Sequence, residues 1–282
     1  DEIVINAGYY NTTKRESTGN ISRVTAKEIE NQPVISPLQA LQGRMAGVEI
    51  IPGGNQPGMA STIRIRGINS LREEGNFPLY IIDGVPVNSV PIETNSIIER
   101  IDPLNNLNIS NIESIEVLKD ADATAIYGSR GANGVVLITT KRGNKLGSGL
   151  EASFSIGAGT VPNRLNLLNT EQYLAIRRKA FENDGIVPNE NNAYDLVLWD
   201  QERYTDWQDF AFGGTAETLN ANIAFSGGGE RTFYRVGGSY FSQGTVYPGD
   251  YDYKKVTGNF NLNHTSIDNK FNINLSANYG VD

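Results

Sequence analysis

The sequence has no cysteine, only one histidine and no long apolar run. Without cysteine the chain has neither disulfide bonds nor thiolate metal sites. His264 has no carboxylate partner at a recognised ligand spacing, so we expect a strand residue and no metal site. No stretch approaches the roughly 18 apolar residues of a membrane-crossing helix, although the alternating strands of a membrane barrel would escape that criterion.

Basic residues are also outnumbered. The chain has 24 lysines and arginines against 32 acidic residues, a net charge of -8, which argues against a nucleic-acid partner. The sequence also shows no nucleophile elbow, no Ser-His-Asp order and no paired-carboxylate motif. We therefore predict no catalytic residues and no cofactor, and we do not expect an enzyme.

The first half, up to Gly143, has the pattern of a small mixed α/β region. Leu38, Leu41 and Met45 are at helical spacing, whereas residues 79–82 have strand character. Asp83 and Gly84 follow this apolar run and precede another, a pattern that predicts a hairpin turn. Asp83 is accordingly interpreted as a turn residue rather than a ligand carboxylate.

A second helix is predicted at residues 120–127, with Asp120 as its N-cap. The glycines at positions 128, 131 and 134 follow this helix. A phosphate-binding loop would precede a helix and end in Gly-Lys-Ser/Thr, so these glycines indicate a tight helix-to-strand connection instead.

After Gly149 the pattern changes to long alternation of apolar and polar residues. Residues 271–279 are the clearest case, with apolar side chains at every odd position and Asn or Ser at every even one. Such strands fit either a soluble sandwich or a membrane barrel with a wet interior. Short connections at 227–230 and 266–269 alternate with long ones at 161–217 and 242–255, which is typical of outer-membrane barrels.

Three blocks of sequence carry a family resemblance. They are residues 40–50 (ALQGRMAGVEI), residues 62–87 (TIRIRGINS, then PLYIIDGVPV) and residues 112–143 (IESIEVLKDADATAIYGSRGANGVVLITTKRG). In type and order they resemble the plug domain of the SusC/RagA family of TonB-dependent outer-membrane transporters. The resemblance covers residues 1–143 closely and the remainder loosely.

The resemblance implies a fold and a domain order. We expect an α+β plug domain, a small mixed sheet with short helices, at residues 7–143. Residues 150–282 would then be about five antiparallel strands, with extracellular loops, of an incomplete transmembrane β-barrel, since a complete barrel of this type has roughly 22 strands. Because an open sheet leaves unpaired edges in hydrocarbon, we expect this chain to be the front portion of a longer protein.

The resemblance also implies a function and partners. It predicts energy-coupled import of glycans or oligopeptides, driven by TonB with its inner-membrane motor complex and assisted by a SusD-like surface lipoprotein. The protein would lie in the cell outer membrane, with the plug in the barrel lumen and the N-terminus in the periplasm. The alternative is a non-transporting β-rich binding module built on a plug-like scaffold.

Two groups of site residues follow from the resemblance. A TonB-box-like segment at residues 1–6 suits recognition by strand addition, although an ordinary frayed terminus has the same pattern. A polar loop at residues 69–77 supplies candidate substrate contacts, although a solvated loop is the alternative. The segment comprises Asp1, Glu2, Ile3, Val4, Ile5 and Asn6, and the substrate candidates are Arg72, Glu73, Glu74 and Asn76.

The long connection at 161–217 contains two further features. Residues 171–184, followed by Gly185, predict an amphipathic helix that would contact the lipoprotein or pack on its own barrel. Trp199 and Trp207, the only tryptophans, would stack on sugar rings or pack a loop.

Overall fold

The structure is a computed structural model that describes residues 4–6, 11–13, 20–30, 32, 34, 36–54, 58–93, 100–120, 124–143 and 148–282. The chain divides into two compact units. The first comprises Asp1–Gly157, Thr218–Gln243 and Asp252–Asp282, and the second, termed the loop unit, comprises Ala158–Glu217 and Gly244–Tyr251. Within the described part of the chain, no helix is long and apolar enough to cross a membrane.

The described residues form short strands and helices in the first half and long strands in the second. The strands are β1 (Val4–Asn6), β2 (Asn11–Thr13), β3 (Ile21–Thr25), β4 (Val48–Pro52), β5 (Ser61–Ile65), β6 (Leu79–Ile82), β7 (Val85–Val87), β8 (Ile92–Glu93), β9 (Arg100–Ile101), β10 (Ile112–Leu118), β11 (Val135–Thr140), β12 (Gly149–Gly159), β13 (Ala216–Gly228), β14 (Thr232–Gln243), β15 (Tyr253–Thr265) and β16 (Asn272–Val281). The α-helices are α1 (Ala26–Ile29), α2 (Thr170–Asp184), α3 (Tyr194–Val197) and α4 (Trp207–Phe212), and 3-10 helices cover Gln39–Leu41, Glu73–Asn76, Ile109–Asn111 and Ala125–Gly131.

Residues 7–143, termed the plug-like region, contain a mixed sheet in the order β3-β10-β11-β6-β7. β10 pairs antiparallel with both β3 and β11, whereas β11 pairs parallel with β6. The two central strands are apolar on both faces: Val117 and Val136 join the larger apolar cluster, and Leu118 and Val135 join the smaller one. Burial on both faces explains the continuous apolar run at residues 135–138 of β11, and the predicted mixed sheet is confirmed.

The predicted hairpin at Asp83 and Gly84 is also confirmed. Ile82 pairs directly with Val85, so the loop has two residues. Both have positive φ, 49° at Asp83 and 88° at Gly84, which matches the two-residue turn that fits the twist of antiparallel strands. The Asp83 carboxylate also accepts hydrogen bonds from the backbone N–H and the hydroxyl of Thr140, at 2.9 and 2.7 Å.

One helix prediction in this region is corrected, because the helical spacing around Leu41 yields only the 3-10 helix Gln39–Leu41. The helix predicted at residues 120–127 is described only in part, since residues 121–123 lie outside the described residues and the 3-10 helix Ala125–Gly131 follows them. The role of Asp120 as its N-cap therefore stays a prediction. In the described residues the Asp120 carboxylate forms an ion pair with Arg66 and accepts the Asn20 N–H at 3.2 Å.

The glycine-rich connection before β11 has the predicted role. Gly128 and Gly134 have φ of 60° and 94°. A side chain at Gly134 would also place its Cβ 2.6 Å from Ile65 and 3.1 Å from the carbonyl oxygen of Leu118. Glycine is required there by both conformation and close packing.

The five long strands form one sheet, termed the strand wall, in the order β12-β13-β14-β15-β16. Its two faces differ sharply in exposure. Val256 and Leu275 on the apolar face are 53% and 49% exposed, whereas Asn261 and Asn263 on the polar face are 4% and 7% exposed. A soluble sandwich would bury the apolar face, so this reversed polarity is that of a barrel wall around a polar interior.

The strand wall is not closed, so it is a partial barrel, as the sequence predicts. β15 and β16 pair antiparallel in a register that places Leu262 opposite Leu275 and Asn263 opposite Asn274. Short connections join β13 to β14 and β15 to β16, and long ones join β12 to β13 and β14 to β15. The predicted alternation of connection length is confirmed.

The loop unit is built around α2. Asn169 caps this helix by accepting the Gln172 N–H at 2.9 Å, and the Gln172 side chain accepts the Asn169 N–H at 3.1 Å. The helix ends at Gly185, which has the left-handed φ of 67°. Both the helix and its terminating glycine match the prediction.

Candidate functional site

The polar face of the strand wall makes hydrogen bonds to the plug-like region, mainly through asparagines. Asn222 on β13 accepts from Asn108 Nδ2 at 2.6 Å and from Ser110 Oγ at 2.9 Å. On β15, Asn259 Nδ2 donates to Asn111 Oδ1 at 3.1 Å. These neutral bonds contribute roughly 0.5–1.5 kcal/mol each, so the plug-like region is held by several weak contacts.

Further contacts extend this interface to the wall's edge strand. Ser276 Oγ on β16 donates to Asp83 Oδ2 at 3.1 Å. Gly280 lies so close to the plug-like region that a Cβ there would sit 2.9 Å from Asn106 Cα. The alternation of Asn and Ser predicted a polar face, but it contained no signal for which plug residues that face would contact.

A buried carboxylate, Asp102, anchors the same interface. It is 3% exposed and accepts the Ser36 hydroxyl at 2.5 Å and the Leu104 N–H at 2.9 Å. Lys255 of β15 is 4% exposed and attracts Asp102 electrostatically. Burial raises the pKa of Asp102 above its ordinary value, while the Ser36 and Leu104 hydrogen bonds and the Lys255 charge oppose that rise.

The neighbouring residue Asn105 continues this anchor. Its Nδ2 donates to the Tyr253 hydroxyl at 2.8 Å and to Asp282 Oδ2 at 2.5 Å. Sequence reasoning missed this cluster. A signal was present in Lys255, a charged residue at an inward position of a strand whose other inward residues are mostly Asn and Thr.

A second buried acid lies inside the plug-like region. Glu116 on β10 is fully buried and lies 3.1 Å from Arg23 Nε on the paired strand β3. Burial raises the pKa of Glu116 to about 7, against the opposing effects of Ser114 and Arg23. The folded state therefore holds a proton that the unfolded chain has already lost at the same pH.

This proton predicts a pH-dependent stability. Because the pKa of Glu116 is higher in the folded state, its contribution is greatest below the unfolded pKa and is lost as pH rises through about 7. We expect the stability of the unaltered protein to fall by on the order of 2–3 kcal/mol between about pH 5 and about pH 8. The Glu116→Gln variant should not show this fall. Hydrogen exchange of β10 amides in the full-length protein, corrected for intrinsic rates, measures this change.

The matched control is Glu49→Gln, because Glu49 is exposed on β4 and is not among the charges that shift the pKa of Glu116. It should keep the pH dependence of the unaltered protein. If Glu116→Gln keeps the same dependence, then Glu116 is not the group responsible.

The loop at residues 68–77 is held by Asn76. Its Oδ1 accepts the N–H groups of Asn69 and Ser70, both at 2.8 Å. Its Nδ2 donates to the carbonyl oxygens of Ser70 and Arg72, both at 2.9 Å. Asn133, in the turn before β11, donates to Gly75 O at 2.7 Å and ties the loop to the sheet.

The structure therefore gives Asn76 a role in shaping this loop, while Arg72 is exposed. The side chains of Glu73 and Glu74 lie outside the described part of the structure. Substrate contact by any of these four residues stays a prediction.

The TonB-box-like segment is described only in part. Asp1, Glu2 and Ile3 lie outside the described residues. Val4, Ile5 and Asn6 form β1, which pairs antiparallel with β2. Among the described strands, none pairs with the other edge of β1. Recognition by strand addition requires such an unpaired edge. TonB binding by this segment stays a prediction.

His264 lies on β15 as predicted, with its Nδ1 2.7 Å from the Thr232 hydroxyl. Across the described residues, no three histidines, aspartates or glutamates form a group that could hold a metal ion.

Comparison with known proteins agrees with this architecture. The family described as TonB-dependent Receptor Plug Domain matches residues 13–135. TonB-dependent receptor P26 of Formosa agariphila is 39% identical over 249 residues, covering 86% of this chain and 23% of that protein. TonB-dependent receptor SusC of Bacteroides thetaiotaomicron is 30% identical over 288 residues, covering 99% of this chain and 26% of that protein.

Solved structures show the same fold. The RagAB peptide importer in its closed-closed state superposes with a TM-score of 0.78 at 26% identity, covering 93% of this chain and 30% of that one. In the open-open state the TM-score is 0.75 at 28% identity, over 94% of this chain and 30% of that one. The chain thus spans about a quarter of the length of the curated relatives it matches.

These relatives are receptors and transporters rather than enzymes, as the sequence predicts. The plug match, the mixed sheet and the polar-faced strand wall agree with them in both sequence and fold. The chain accordingly has a TonB-dependent receptor plug domain followed by a partial barrel, and in both sequence and fold it is similar to SusC/RagA-like TonB-dependent receptors.

Proposed function

We propose that the whole protein imports glycans or oligopeptides across the outer membrane, with energy supplied through TonB. The observation that carries this proposal is the reversed polarity of the strand wall. Its apolar face is exposed, and its asparagine-rich face contacts the plug-like region. A wall of this kind suits a lipid exterior and a plugged polar interior.

The geometry also suits a plug that can be moved. Its contacts with the wall include neutral hydrogen bonds through asparagines, such as those of Asn222 and Asn259. Because each such bond is weak, a pull on the N-terminal segment would break them one after another rather than all at once. Residues 1–6 provide the segment that TonB would engage by strand addition, and the motor complex of the inner membrane would supply the pull.

The external partner in this proposal is a SusD-like lipoprotein, and the substrate is an oligosaccharide or an oligopeptide. The solved neighbour is described as a peptide importer, and another relative is named SusC. Both relationships support a two-component importer without choosing between the two substrate classes.

Membrane fractionation of cells that produce the full-length protein tests this proposal. An antibody raised against residues 7–143 should detect an outer-membrane band far larger than 30.8 kDa, and its mobility should shift on heating because a closed barrel resists unfolding in detergent. A known inner-membrane protein serves as the fractionation control. A soluble band near 30.8 kDa would instead support the non-transporting binding module.

A further inference from the structure

The loop unit contains an open cleft of about 830 Å³ with large aromatic rings on its surface. Trp199, Trp207 and Tyr204 line this cleft and are 60%, 67% and 53% exposed. Apolar surface of this size is unfavourable in water, and contiguous exposed patches usually mark binding sites. The cleft therefore needs a physical explanation beyond loop packing.

Trp199 is held in place from two sides. Its ring makes an edge contact with Tyr194, with 5.1 Å between ring centroids. Gln201 Nε2 donates to the backbone oxygens of Trp199 and Asp195, at 2.7 and 2.9 Å. The segment that carries the indole is thus clamped although the ring itself is exposed.

Trp207 is held by a different set of contacts. It is the first residue of α4, whose N-cap Asp206 accepts the N–H groups of Gln208 and Asp209 at 2.9 and 3.0 Å. The Gln208 side chain exchanges two hydrogen bonds with the Leu165 backbone, both at 2.9 Å. Both indoles are consequently pre-organised, which lowers the entropic cost of binding a ligand.

A carboxylate that is already paired with an arginine forms part of the cleft. Asp195 is 5% exposed and accepts hydrogen bonds from Arg177 Nε at 2.7 Å and from the Tyr173 hydroxyl at 2.7 Å. The Arg177 hydrogen bonds lower the pKa of the Asp195 carboxyl to about 2. Since its charge is already paired, this carboxylate is a structural member of the cleft rather than a site for a cationic ligand.

The remaining lining groups define the chemistry of an occupant. Asp200, Arg203 and Thr205 add hydrogen-bonding side chains of mixed charge around the aromatic rings. A ligand that matches this surface has flat apolar faces and a rim of hydroxyl groups, with little net charge. Pyranose rings have these properties. Peptide binding by strand addition would need an unpaired strand edge, whereas the cleft is lined by helices and irregular segments.

We propose that this cleft binds an oligosaccharide, with sugar rings stacked on Trp199 and Trp207. The inference rests on the proposed import function and assigns the glycan class to its substrate. All residues that line the cleft belong to the loop unit, and none of them is among the residues Arg72, Glu73, Glu74 and Asn76 that the sequence singled out.

Titration calorimetry of the purified full-length protein in detergent tests this site. The probes are the glucopyranose oligosaccharides maltoheptaose and laminarihexaose and a defined pool of oligopeptides. We expect one of the oligosaccharides to bind, and Trp199→Ala and Trp207→Ala each to weaken binding about tenfold or more, as is usual for central aromatic anchors. Trp199→Phe and Trp207→Phe should retain part of the affinity and show that the unit still folds.

The matched control is Tyr251→Ala, since Tyr251 is an aromatic residue of the loop unit that is 66% exposed and does not line the cleft. Binding should be unchanged in this variant. The proposal is overturned if no oligosaccharide binds, if only the peptide pool binds, or if the two alanine variants bind as tightly as the control. Binding in detergent does not need TonB. Calorimetry therefore tests the cleft alone, whereas the membrane fractionation described above tests the import function.

Discussion

Deletion of residues 1–6 from the full-length protein is expected to abolish uptake while leaving substrate binding almost unchanged. The segment lies ahead of the plug-like region, and its described part, β1, has one edge paired with β2. Strand addition to the other edge would transmit force through main-chain hydrogen bonds. Uptake of a labelled substrate by whole cells and calorimetry of the purified variant measure the two properties separately.

The control for this deletion is Val4→Ile, which retains an aliphatic β-branched side chain with high strand propensity. This variant should be present in the outer membrane in the same amount as the unaltered protein, and it should support uptake at the normal rate. If cells with the deletion take up substrate at the normal rate, residues 1–6 are not the coupling segment. If the deletion also removes binding, the segment has a structural role instead.

Asp102→Ala is expected to loosen the plug-like region from the strand wall. The change removes the acceptor of the Ser36 and Leu104 hydrogen bonds. It also removes the electrostatic attraction of the Asp102 carboxylate for the buried Lys255. Leaving a buried donor without its acceptor typically costs about 1–3 kcal/mol. Faster hydrogen exchange at residues 100–118 of the full-length protein, with little change in the strand wall, is the expected readout.

Two further variants separate charge pairing from general destabilisation. Glu113→Ala removes an exposed carboxylate from the neighbouring strand β10 and should change exchange very little. The double variant Asp102→Ala with Lys255→Met should recover part of the lost protection, because it removes the buried lysine charge but does not restore the Ser36 and Leu104 hydrogen bonds. Equal exchange in the single and double variants would show that Asp102 and Lys255 act independently.

Local patterns predicted much of the fold. The turn at Asp83 and Gly84 and the helix that ends at Gly185 both depend on backbone conformations that neighbouring residues determine. The long strands were likewise visible as alternation, since side chains on a strand point to opposite faces. The helical spacing of Leu38, Leu41 and Met45 was a weaker guide, since the structure has only the 3-10 helix Gln39–Leu41 there.

The candidate sites were less predictable. Sequence alone placed Asn76 in a polar loop, but only the fold shows its four hydrogen bonds within that loop. Trp199 and Trp207 were recognisable as exposed or packing aromatics, and the clamps that hold them come from residues scattered between positions 165 and 209. Hydrogen bonds between side chains far apart in the chain leave no periodic signal.

By itself, the sequence determined the family, the mixed sheet of the plug-like region and the two-faced strands, because each depends on a local motif or a repeat of two residues. Tertiary structure alone decided which face is exposed and which is buried. It also brought Asn105 to Tyr253 across 148 positions of chain and Asn108 to Asn222 across 114. Those contacts arise only when the strand wall and the plug-like region pack together, and burial then gives their charges and amides the energies that matter for function.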